Sequence, residues 1–277
     1  MPNPPVGIRN EDGSVVDNPR QAIRDTLMDV LRALTKDFTT PHLMRDANGN
    51  LLGDTLAVRS TTADGSVESD LSTTWQTVRD GNSEAADNNN TVDILEASDV
   101  GPGVEYQASQ LFFDFDTSSL GSGSTITAAV FTFYGNSSGT PEVDTDNYDM
   151  QIRPVNWGGS LTAADWVDCN PTSNWTGLTL MAHFDVGSWN QGSGNANNFT
   201  TDSFADVSKT AVTYVVMGLS ALGSTTAPTG TNTVPVRMAD ASGTTSDPLL
   251  TVTYTPATVS VRHMIVEMQA QAALLGY

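Results

Sequence analysis

Apolar positions along the chain recur with two different periods, and the change of period divides it. Near the N-terminus Ile23, Leu27, Val30, Leu31 and Leu34 are spaced as one face of a helix, with Arg20, Arg24, Asp25, Asp29 and Arg32 on its other faces. Asn18 can cap that helix, Pro19 suits its first position, and Gln21 stands where a capping-box partner reaches back. Beyond residue 70 the helical period gives way to short apolar or alternating runs separated by Gly, Ser, Asn and Pro, the pattern of antiparallel strands.

The strongest pair of strands lies within residues 107–134, at 111–115 and 127–134, both apolar and aromatic enough to be buried and joined by a Ser/Gly turn. Further strands are expected at 74–78, 91–95, 148–155, 175–184, 234–238 and 249–254, with an exposed loop at 84–90 and a hairpin-like loop at 239–247. Residues 161–166 read as a short surface helix or turn capped by Thr162. Residues 207–219 fit either a strand or a helix. Many short strands with turn signals between them require a mainly β sandwich, with Trp75, Trp157, Trp166, Trp175 and Trp189 supplying much of its core.

The flanks differ from this middle. Residues 8–16 and 44–52 share one pattern, an apolar residue, Arg, Asx, then Asx-Gly and two apolar positions, which is a hairpin signal occurring twice. A hairpin-helix-hairpin unit over 1–58 follows, with the apolar helix face packed either on its own hairpins or against copies of itself or a larger assembly. Residues 59–70, polar and small, read as a linker. The sandwich is expected over 71–255. A tail over 256–277 adds a possible strand and a short helix ending at Gly276.

The run Leu111-Phe112-Phe113-Asp114-Phe115-Asp116, the small-residue loop after it, and Ile126-Thr127-Ala128-Ala129 leading to Phe131 and Phe133 resemble the opening of DNRLRE-type domains. Val155-Asn156-Trp157, Leu161-Thr162, Asp165-Trp166, Asn170-Pro171 and a closing strand through Leu249-Leu250-Thr251-Val252-Thr253-Tyr254 agree with that resemblance over roughly residues 75–255. It implies an antiparallel jelly-roll β-sandwich related to carbohydrate-binding modules. It also implies exposed aromatic rings beneath a sugar, for which Trp157, Trp166, Trp189 and Asn190 are the candidates. Calcium in the acidic loop at Asp144, Asp146 and Asp149 would suit related jelly rolls.

Charge narrows the partners. Twelve basic against thirty-two acidic residues give a net charge of −20 over 277 residues, with Lys36 and Lys209 the only lysines. Such a surface repels a phosphate backbone, so no nucleic-acid partner is expected. Cys169 stands alone, excluding a disulfide framework within the chain. The first residues lack the basic and apolar regions of a signal peptide, and no apolar run reaches the roughly 18 residues of a membrane span. Synthesis in the cytoplasm without membrane insertion is the expectation.

Catalytic patterns are weak. Gly135-Asn136-Ser137-Ser138-Gly139 matches a nucleophile elbow in letters, but Thr140-Pro141 follows where a helix should, so it reads as a turn. His42, His183 and His263 are far apart and make no zinc motif. Asp46 to Asn50 resembles half a calcium loop but has Leu51 and Ala57 where Gly and Glu are needed. No catalytic residue and no confident cofactor is assigned.

Together these features suggest a non-enzymatic structural protein on the surface of a tailed-phage particle, as capsid decoration or head fibre. Its expected partners are copies of itself, as a homotrimer, and virion proteins such as the major capsid protein. The alternative is a tail-fibre or baseplate adhesin binding host surface glycan.

Overall fold

The structure is a computed structural model that describes residues 53–256, apart from 82–83, 102, 104, 136–140, 144–147, 170–173, 192 and 241–242. The expected hairpins, the helix bearing Ile23, Leu27, Val30, Leu31 and Leu34, the tail, and Asp144 and Asp146 lie outside the described residues. In chain order the strands are β1 (Asp54–Arg59), β2 (Gly65–Glu68), β3 (Ala85–Asp87), β4 (Val92–Asp99), β5 (Tyr106–Asp116), β6 (Thr125–Tyr134), β7 (Glu142–Val143) and β8 (Met150–Pro154). They continue with β9 (Ala182–Phe184), β10 (Gly194–Asn198), β11 (Val212–Leu219), β12 (Asn232–Arg237) and β13 (Leu249–Thr255), and among the described residues there are two short α-helices, α1 (Trp75–Arg79) and α2 (Asn174–Gly177), besides short 3-10 helices.

All strand pairs are antiparallel, and they build two sheets packed as a sandwich. One sheet has the order β1-β13-β6-β10. The other runs β7-β12-β4-β5-β11-β8-β9, with β2 on β5 and β3 on β2. Phe131 on β6 crosses between the sheets, its ring 5.3 Å from Phe113 and 5.5 Å from Phe115 on β5, both edge-on. Leu250 and Val252 on β13 and Val215 and Met217 on β11 are fully buried.

β5 is buried on both faces from Ala108 to Phe115, which explains its near-continuous apolar run. Residues at odd positions face the sandwich core. Gln110 and Phe112, at even positions, meet the segment after β8, and Phe112 packs edge-on to Trp157 at 6.3 Å. Gln110, with no exposed surface, donates to Val167 O at 2.8 Å and accepts from Val167 N at 2.9 Å. A buried amide is tolerated because both ends are bonded.

Several expectations are corrected. Residues 54–59 and 65–68, read as the end of an N-terminal unit and a linker, are strands of opposite sheets, so the chain changes sheets between them. Residues 75–78 are helical because Trp75, Val78 and Arg79 are the buried positions, a helical rather than an alternating spacing. The loop at 84–90 contains β3, and 175–184 begins as α2 with only Ala182–Phe184 extended. Residues 239–247 do not close a hairpin, since β12 and β13 belong to different sheets. Residues 207–219, left open between helix and strand, contain β11. The short helix after Thr162 is found with a full capping box between Thr162 and Asp165.

The two changes of sheet meet. Asp114 accepts from Thr61 N at 3.1 Å, Thr61 Oγ1 at 2.9 Å and Ser60 Oγ at 3.3 Å. Asp64, with no exposed surface, accepts from Ala239 N at 3.1 Å. Burial pushes its carboxyl up to about 8, with Asp114 and Asp240 adding repulsion against the pull of Ala239 N–H.

Candidate functional site

A groove of about 550 Å³ opens on the outer side of the nine-stranded sheet. Its walls come from Pro154 at the end of β8, Val155 and Asn156 just after it, Leu178, and Thr213 and Tyr214 on β11, with Asp206 and Ser208 at the rim. β11 places Tyr214 outward by alternation, opposite Asp114 in the register with β5. Trp157 stacks edge-on to the Tyr214 ring at 5.2 Å. Gly159, at φ +73°, lies so near that an added Cβ would sit 3.2 Å from the Tyr214 hydroxyl. Asn156 Oδ1 accepts from Gly158 N at 3.1 Å and shapes the turn that brings Trp157 over the sheet.

The chemistry of this lining is an aromatic and aliphatic floor with an amide, hydroxyls and one carboxylate. It suits a neutral hydroxylated ligand, whose apolar ring faces lie on Tyr214 and whose hydroxyls meet Asn156, Asp206 and Ser208. Asp206 is the single carboxylate of the lining among the described residues.

The four glycan candidates from sequence are not brought together. Trp157 is 5% exposed and wedged between Phe112 and Tyr214, leaving no ring face for a sugar. Trp166 is half-buried against α1, its indole N–H donating to Arg79 O at 3.3 Å. Trp189 covers the backbone of Gly135 so closely that a Cβ there would lie 2.5 Å from the ring, and it packs on Phe133 and Phe184. Asn190 is exposed, its backbone held on both sides by the Asn195 amide. The three rings have different partners and form no shared platform. Tyr214 was not singled out from the sequence because its segment was open between helix and strand; the alternation Thr213-Tyr214-Val215 is the signal that marks it.

Other reactive groups are accounted for structurally. Cys169 is fully buried beside Gln110, and burial drives its thiol well above the usual range, which makes it unreactive. Asp149 is half-buried, its amide donating to Ser220 Oγ and its carbonyl accepting from Ser220 N. Among the described residues no group of three His, Cys, Asp or Glu is placed to hold a metal ion. His183 is exposed on β9.

A scan of the chain against models of known protein families finds no match, and no curated protein is similar to it.

Proposed function

We propose that this chain is a non-enzymatic structural protein of a phage particle, a jelly-roll sandwich displayed on the virion surface as capsid decoration or head fibre. One observation carries the reading: Asp54 on β1 is paired with Tyr254 on β13, so residues 1–52 and 257–277 join the sandwich at neighbouring points of one sheet. The apolar face of Ile23, Leu27, Val30, Leu31 and Leu34 is assigned to docking on the major capsid protein and to a homotrimer. The test is the copy number of the chain in purified particles, by quantitative mass spectrometry against the major capsid protein. A ratio near one supports shell decoration; absence from particles removes the reading.

The groove at Tyr214 favours a second reading, an adhesin for host surface glycan. If glycan binds there, Asp206→Ala should weaken retention on the host glycan about tenfold, the ~1.4 kcal/mol of one charge-assisted hydrogen bond, without moving the melting temperature. Unchanged retention excludes the groove. By contrast Trp157→Ala should cost about 3–5 kcal/mol of folding stability, because it empties the space between Phe112 and Tyr214. Urea denaturation measures that loss.

A further inference from the structure

The four-stranded sheet is nearly free of charge in a chain of net −20. β6, β10 and β13 carry no charged residue, and β1 carries only Asp54 and Arg59 at its two ends. The neutral stretch around β10 is long: between Asp185 and Asp202 no residue is charged. β10 also ends its sheet, pairing with β6 on one side, and among the described residues no strand pairs with its other side. Just beyond it Thr200 is held, its N–H donating to Met181 O at 2.7 Å, so the open edge is confined to Gly194–Asn198.

Strands that end a sheet normally carry a charge, a proline or a bulge, because an open row of N–H and C=O groups recruits another strand. Other end strands conform: β1 has Asp54 and Arg59, β3 has Asp87, and β7 has Glu142. β10, with the sequence Gly-Asn-Ala-Asn-Asn, has none of these devices.

We propose that β10 pairs antiparallel with β10 of a second copy of this chain, joining two four-stranded sheets into one across a two-fold axis at Ala196. Charge selects the partner. Two copies of a strongly acidic protein repel one another wherever carboxylates face, and this sheet edge is where backbone groups are open and carboxylates are missing. The residues are self-complementary about Ala196. Gly194 meets Asn198, the exposed Ala196 meets itself, and Asn195 meets Asn197. Five residues a side make a contact below the ~800 Å² per partner of a standard interface, so association in the micromolar-to-millimolar range is expected.

The full chain tests this in sedimentation experiments spanning about 1 µM to about 1 mM. The wild type should rise at least twofold in mass across that range, from the single chain or from the homotrimer. Ala196→Glu and Ala196→Lys should each abolish the doubling, since like charges meet about 5 Å apart across the axis, and an equimolar mixture of the two should restore it. A wild type that never doubles, a doubling that survives Ala196→Glu, or a mixture that fails to associate would overturn the proposal. Ala196→Cys gives an independent readout if the charged variants fold poorly. Directly opposed strand residues lie about 4.5–5.5 Å apart at Cα, within disulfide range. Oxidised glutathione should therefore convert the two thiols of paired copies to a disulfide and leave a cross-linked dimer on a non-reducing gel. Wild type, whose single cysteine is buried, should give none; absence of the cross-link in Ala196→Cys also overturns the pairing.

Discussion

Asp64→Asn is expected to flatten the fall in stability that the wild-type sandwich shows between about pH 6.5 and pH 8. The Asp64 carboxyl stays protonated in the fold until about pH 8, whereas the same group ionises near 3.8 when the chain unfolds. Both states are protonated below 3.8, and the stability tied to this proton is then fully present. Between 3.8 and 8 folding takes up a proton, so stability falls as pH rises, and above 8 the buried site must hold a charge. The full span is worth about 6 kcal/mol. Asn keeps an acceptor for Ala239 N and cannot ionise, so the variant should be more stable than wild type at pH 9. Asp93 works in the same direction lower down, because burial lifts its carboxyl to about 6, and Asp87 and Glu68 add to the effect. The Asp64→Asn variant should thus keep a slope below about pH 6.5. Melting temperature as a function of pH checks both statements, and an unchanged slope above pH 6.5 would show that Asp64 is ionised in the fold.

Phe131→Ala should lose about 4 kcal/mol in urea denaturation. Its ring is fully buried and touches Phe113, Phe115 and Phe133 with centroids 5.3, 5.5 and 5.7 Å away. Its removal opens a cavity between the sheets and ends three aromatic contacts. For a unit of this size the melting temperature should drop by roughly 10 °C. Thr132→Ala, one residue along and on the outer face of the same strand, should change stability by less than about 0.5 kcal/mol. Similar losses for the two variants would mean that β6 does not alternate as described.

The same alternation shows where sequence reasoning succeeds. Phe113, Phe115, Phe131 and Phe133 announce two buried strands because a pleated strand sends every second side chain to one face, and that rule is local. It also places β8, β12 and β13 within a residue or two. The residues 75–78 misled because a single turn of helix and a short strand differ by one position in their buried pattern. Trp157, Trp166 and Trp189 were all plausible sugar platforms, since a tryptophan looks the same in sequence whether its ring is covered or open.

What the sequence by itself determined is therefore the class of fold, most strands of its core and its strong acidic charge. Which sheet each strand joins was decided only in three dimensions. Alternation specifies a face and not a neighbour, and two of the crossings between sheets, β1 to β2 and β12 to β13, are held by Asp114 gripping Ser60 and Thr61 and by Asp64 gripping Ala239. The groove at Tyr214, the cover over β5 and the open edge of β10 arise in the same way. Each depends on residues tens of positions apart that only packing brings into contact, or leaves without one.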